Sequence, residues 1–197
     1  TKSFAVTEYE LGKMVYYSEN NQSLYVLTGG VLYQMDAKRS GQKILAEGLV
    51  DGQYVVSEDG CLLAWQTDGE PGMGKAVKVL NFETEDTFEV KAAEGEYVKP
   101  LGFVFEDFVC GYASELSGGF LQSGEFCFPM HRLEIRSPQN KVEMEYEPDG
   151  LYIWGIEVES NLVTIHRLTW VDGVYSAFVP DYISNNEAGG GANVVLE

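Results

Sequence analysis

Short apolar runs with a period of two, broken every few residues by Asn, Ser or Gly, constrain this chain more than any other feature. Val15-Tyr16-Tyr17, Leu24-Tyr25-Val26-Leu27 and Val31-Leu32-Tyr33-Gln34-Met35 open the series. Gln53-Tyr54-Val55-Val56, Cys61-Leu62-Leu63-Ala64-Trp65 and Val77-Lys78-Val79-Leu80-Asn81-Phe82 continue it. Phe103-Val104-Phe105, Leu133-Glu134-Ile135, Tyr152-Ile153-Trp154 and Leu162-Val163-Thr164-Ile165 follow. Successive side chains of a strand point to opposite faces, so runs this short, β-branched and aromatic predict strands. Asp-Gly pairs at 51–52, 59–60, 68–69, 149–150 and 172–173 punctuate them, and both residues tolerate the positive φ of tight hairpins. No stretch carries a helical stripe. The expected fold class is all-β.

A longer period lies over the short one. An apolar strand, a polar turn, an apolar strand ending in Asp or Asn, a charged turn and a final strand recur as a unit. The units begin near residues 14, 51, 97 and 151, and the last holds only three strand runs: 151–158, 162–171 and 174–183. Repeats of about 40–50 residues with four strands each are the pattern of propeller blades. The expectation is a β-propeller of about four four-stranded blades, either a small ring or an arc of a larger one. Residues 1–183 form the propeller-like domain in this reading. Residues 184–197, with Gly189-Gly190-Gly191, form a flexible C-terminal segment. A missing fourth strand for the last unit is expected from Phe4-Ala5-Val6-Thr7-Glu8-Tyr9, or from Val194-Val195-Leu196.

In the second unit, Ser57-Glu58-Asp59-Gly60 precedes an apolar strand, and residues 77–82 lead into the acidic turn Glu83-Thr84-Glu85-Asp86. This resembles repeats of the TolB type and of the propellers attached to prolyl-oligopeptidase-like peptidases. Lys99-Pro100-Leu101-Gly102-Phe103 with Glu106-Asp107-Phe108, and Phe128-Pro129-Met130 before Leu133-Glu134-Ile135, are similar to uncharacterised clostridial propeller-like proteins. That second resemblance implies an extracytoplasmic or cell-envelope setting and no known chemistry.

Charge removes several functions. The chain has 13 Lys+Arg against 31 Asp+Glu, a net charge of −18, which repels a phosphate backbone and excludes nucleic acid as a partner. With 45% hydrophobic residues it is too apolar for a disordered acidic tail. No run reaches the roughly 20 apolar residues of a transmembrane helix. The first residue is Thr1, read as the start of a processed or excised chain. Cys61, Cys110 and Cys127 have no CxxC spacing and are read as free thiols.

The chemical motifs fail one by one. Glu145-Tyr146-Glu147-Pro148-Asp149-Gly150 begins like a calcium loop, but Ile156 stands where a bidentate Glu is needed. Only His131 and His166 could serve a nucleophilic triad, and no G-x-S-x-G elbow surrounds Ser123. The acidic turn at residues 83–86 reads as a solvated turn that discourages edge pairing. No catalytic residue, metal ligand or cofactor is assigned. Residues 114–128 interrupt the third unit with Phe120, Glu125 and Phe126, which are the candidate ligand-binding residues because insertions place groups on a rigid scaffold. The functional expectation is a non-catalytic binding module for a protein, peptide or glycan. Its alternative is the accessory propeller of a hydrolase or peptidase whose catalytic domain lies outside this chain. A third class, an enzyme using acidic residues at a propeller centre, lacks any acid-His or metal-ligand spacing.

Overall fold

A computed structural model describes residues 14–38 and 41–184. Every regular element among them is a strand. The first unit is β1 (Met14–Ser18), β2 (Ser23–Thr28), β3 (Val31–Asp36) and β4 (Gln42–Ala46), an antiparallel sheet paired in sequence order. The second repeats it with β5 (Tyr54–Val56), β6 (Leu62–Gln66), β7 (Ala76–Asn81) and β8 (Thr87–Lys91). The third has β9 (Glu96–Val104), β10 (Asp107–Ser114), β13 (Met130–Arg136) and β14 (Val142–Tyr146). A small hairpin, β11 (Gly119–Phe120) and β12 (Phe126–Cys127), is inserted between β10 and β13. The fourth has three described strands, β15 (Tyr152–Glu159), β16 (Leu162–Val171) and β17 (Val174–Ser184). The fold is all-β and of β-propeller type, with each unit a blade.

The alternation of side chains explains how the blades stack. In β6, Leu63 and Trp65 face the first blade, where they meet Tyr25, Leu27 and Leu32. Leu62 and Ala64 point the opposite way, into a cluster with Val98, Phe108 and Cys110 of the third blade. All five residues of β6 are buried for that reason. In the third blade, Phe108, Cys110 and Tyr112 look back at the second, while Val109 and Ala113 pack with Ile153, Val163 and Ile165 of the fourth. Three core clusters therefore join blades one to two, two to three and three to four. Among the described residues no core cluster joins blade four to blade one. The closing strands expected from residues 4–9 or 194–196 lie outside the described residues, as does most of the C-terminal segment.

The third and fourth blades also share a hydrogen-bonded seam. β13 pairs with β14 from Leu133 to Arg136, while Met130 at its start bridges Ile153 of β15.

Turn chemistry departs from expectation in one respect. All five Asp-Gly glycines have positive φ, yet only Asp172-Gly173 forms a two-residue hairpin, with both residues at positive φ (50° and 84°). The others lie in longer loops or between strands of different blades. Two-residue hairpins are made instead by Gly29-Gly30, Phe105-Glu106 and Ser160-Asn161.

Candidate functional site

The first strands of blades two, three and four converge, with β9 in contact with both β5 and β15. Gly102 on β9 faces β15, and a Cβ there would meet Ile156 and Val158 at 3.8 Å, an ordinary van der Waals contact. Between these strands lies a cleft of about 1170 Å³. Its walls are half-buried apolar side chains, Val55, Val56, Leu101, Ile156 and Val158, and Phe103 sits deeper. Its rim is made by the turns that leave those strands, and carries Glu58, Asp59, Glu106 and Glu159. Those four side chains are exposed, and among the described residues no lysine, arginine or histidine lines the cleft.

Phe105 stands on this rim in an unusual state. The strand run read as Phe103-Val104-Phe105 ends at Val104, and Phe105 becomes the first residue of the β9–β10 hairpin with φ 54°. A side chain at positive φ crowds the backbone, a cost on the order of 1 kcal/mol that glycine escapes. Its ring is nonetheless 52% exposed. Ser160 has the same backbone state (φ 56°) at the same place in the two-residue turn of blade four, whereas blade two has a longer loop there, residues 57–61.

The electrostatics of the rim follow from hydrogen bonds and crowding. Burial works against ionisation of Asp59, but donors outweigh it and hold the carboxyl below its usual value: Ser57 Oγ at 2.6 Å, the Cys61 thiol at 3.0 Å and the Cys61 backbone N–H at 3.0 Å. Burial pushes the Cys61 thiol up to about 12, with the Asp59 carboxylate adding to it, so Cys61 is not a thiolate nucleophile at neutral pH. Asp107, next to the rim, is raised by burial first and then by Glu143 and Glu106. The rim is a concentrated negative field.

The residues singled out from the insertion lie elsewhere. Phe120 and Phe126 are cross-strand partners in the β11–β12 hairpin, with ring centroids 5.2 Å apart and edge-on. Phe126 meets Phe128 at 5.4 Å in the same manner. The two rings remain 53% and 52% exposed, and Glu125 is exposed between them in sequence. The hairpin docks on blade four rather than on the cleft. Leu121 bridges Tyr175 at the start of β17, Tyr175 Oη donates to Ser117 O at 2.8 Å, and Gly119 lies against Trp170 and Tyr175.

The remaining candidates have structural partners. His131 Nε2 lies 3.0 Å from Glu96 and His166 Nε2 lies 3.3 Å from Glu157. All three cysteines are free, with Cys110 and Cys127 buried. Among the described residues no group of three or more His, Cys, Asp or Glu could hold a metal ion. Glu134, 4% exposed, accepts from Tyr112 Oη and Arg136 Nε, each at 2.8 Å, and pairs with Arg132. This network fills the face of blade three that looks at blade two and is satisfied without any ligand.

The acidic turn at residues 83–86 does more than face solvent. Thr84, Glu85 and Asp86 are exposed, as a solvated turn requires, and what the reading lacked is a clasp on blade one: Glu83 accepts from Tyr16 Oη at 2.5 Å, Ser18 Oγ at 3.0 Å and Asn20 Nδ2 at 2.6 Å. Glu85 accepts from Tyr25 Oη at 3.2 Å and Gln34 Nε2 at 2.5 Å. Donors on a neighbouring blade converge on these carboxylates, and a one-dimensional reading has no view of them.

No family model matches the chain, and no curated protein matches it. Among solved structures it is similar to hydrazine synthase of Kuenenia stuttgartiensis, at 9% identity over 93% of this chain and 66% of that one, with a TM-score of 0.33. A chain of a mitotic checkpoint complex is matched at 13% identity over 96% of this chain and 80% of that one, TM-score 0.28. TolB from Acinetobacter baumannii is matched at 9% identity over 86% of this chain and 56% of that one, TM-score 0.27. The chain spans less than two thirds of the length of the first and third of these. The class defined by strand pairing and face-to-face stacking is that of a β-propeller-type chain. No helix among the described residues is long and apolar enough to cross a membrane.

Proposed function

We propose that this chain is a non-catalytic binding module that holds an extended segment of a protein or peptide partner in the cleft between β5, β9 and β15. The observation that carries this is the cleft itself: about 1170 Å³ with apolar walls and a polar rim. Apolar walls supply affinity by burying a partner's side chains, and a few polar groups at the edge orient it. The blades hold the walls rigid, because each wall strand is backed by a core cluster. An extracytoplasmic or cell-envelope setting, which rests on the sequence resemblance, is part of the same proposal.

Panning a random-peptide display library against the immobilised protein tests the reading. Selected peptides should bind the wild type, lose binding on Val55→Arg and on Gly102→Phe, and keep it on Phe120→Ser. Each variant is first shown to unfold cooperatively. Selected peptides that bind the cleft variants as well as the wild type would sink the proposal. Loss on Phe120→Ser alone would move the site to the inserted hairpin.

A further inference from the structure

Resting on that reading, we infer that the cleft selects a cationic segment, and that Phe105 is the platform on which an arginine or lysine side chain of the partner stacks. Three features converge at one place. The first is charge complementarity: Glu58, Asp59, Glu106 and Glu159 ring the mouth, and among the described residues the lining offers no cation. The second is that Glu106 follows Phe105 in the same two-residue turn, so a cation over the ring lies beside a carboxylate. A ring face and a carboxylate side by side suit a guanidinium, which stacks with one surface and donates hydrogen bonds from its edge. The third is the state of Phe105 itself. A half-exposed aromatic ring at φ 54° serves the fold poorly where Gly or Asn would sit with less strain, and the matching turn of blade four carries the small polar Ser160 there.

The partner segment is therefore an extended stretch alternating apolar and basic residues. Its apolar side chains enter between the strands, and its basic ones reach the rim. An acidic or phosphorylated segment would be repelled by the same four carboxylates.

Two fluorescein-labelled peptides test this by polarisation. One alternates valine and arginine; the other carries citrulline, a neutral isostere, in place of each arginine. The arginine peptide should bind about tenfold tighter than the citrulline peptide, the scale of a desolvated cation–π contact. Phe105→Asn, which suits the same backbone, and Glu106→Gln should each weaken it by a similar factor. Phe105→Asn should unfold at no lower temperature than the wild type by more than a few degrees. Glu47→Gln with Glu70→Gln removes charge away from the cleft and should leave binding within about twofold, which separates a local site from the long-range field.

Equal binding of the two peptides, unchanged binding by Phe105→Asn, or equal weakening by the distant charge variant would each overturn the inference. If the arginine peptide fails while the display library yields neutral peptides that the cleft variants lose, this inference falls and the binding module stands. If both fail, both fall.

Discussion

Tyr16 on the first strand of blade one donates its hydroxyl to the Glu83 carboxylate on the β7–β8 turn of blade two, at 2.5 Å and across 67 residues of sequence. The same carboxylate collects Ser18 and Asn20, so one side chain ties down the whole end of β1. Similar latches recur at the other interfaces. Asn140 Nδ2 donates to Glu89 O between blades two and three, and Tyr146 Oη donates to Asp181 at 2.8 Å between blades three and four. Apolar stacking supplies the attraction between blades, and these polar latches fix how one blade sits on the next.

The first prediction concerns that clasp and acid. The hydrogen bond from Tyr16 is foremost among the contacts that hold the Glu83 carboxyl below its ordinary value of 4.5. The unfolded chain therefore takes up a proton at Glu83 before the folded chain does. The stabilisation is complete above about pH 4.5 and drains away as pH falls through the lower folded value. Glu83→Gln should lower the thermal midpoint at pH 7, and the gap to the wild type should narrow as pH drops toward 3. Midpoints that stay equally far apart over that range would show that ionised Glu83 does not hold the blades.

A second pH effect of opposite origin is expected in alkali. Lys99 on β9 reaches under the insertion to donate to Phe128 O at 2.5 Å, and burial pushes its amine down from 10.5 to about 8. A folded value below the unfolded one means the charged amine opposes folding, by about 3 kcal/mol wherever both states are protonated. That opposition is relieved as pH rises from about 8 to 10.5, so stability should climb there. Above 10 the climb meets a countercurrent. Burial raises the phenols of Tyr25, Tyr146 and Tyr175 to about 12, and the unfolded chain ionises them first. Urea unfolding of the wild type between pH 7 and 10 should show the rise, and Lys99→Met should abolish it while being more stable at pH 7. A variant less stable than the wild type at pH 7, with the alkaline rise intact, would refute this account of Lys99.

The repeat was legible in the sequence because burial on both faces leaves a local trace. Leu62-Leu63-Ala64-Trp65 must be apolar at every position when one sheet packs against two neighbours, and the following turn marks its end. The three strands described for the last blade were legible by alternation instead, with Val163 and Ile165 of β16 buried between half-buried Leu162, Thr164 and His166. The cleft was not, since its walls come from β5, β9 and β15, which lie far apart in the chain and share only their order within a blade. Phe105 was assigned to a strand because its neighbours Phe103 and Val104 belong to one. The signal that separates it is Glu106-Asp107, two polar residues that leave no room for a longer turn before β10. The acidic turn at 83–86 gave no hint of its donors, because Tyr16 and Tyr25 are identical in pattern to tyrosines that merely line a strand.

The two exposed rings of the inserted hairpin differ in how they are packed. Phe126 contacts two rings, Phe120 and Phe128, and roofs Gly118, where a Cβ would stand 2.9 Å from each of Phe126 and Phe128. Among the described residues Phe120 has one ring neighbour, Phe126, at a similar exposure of 53%. Edge-to-face pairs contribute about 0.5–1.5 kcal/mol each beyond the area they bury. Phe126→Ser should therefore cost about 2 kcal/mol in urea unfolding, and Phe120→Ser about half as much. The larger loss should also loosen the hairpin from blade four, seen as faster amide exchange at Leu121, whose N–H is held by Glu125 O. Equal and negligible losses from both substitutions would mean that the rings do not hold the hairpin together.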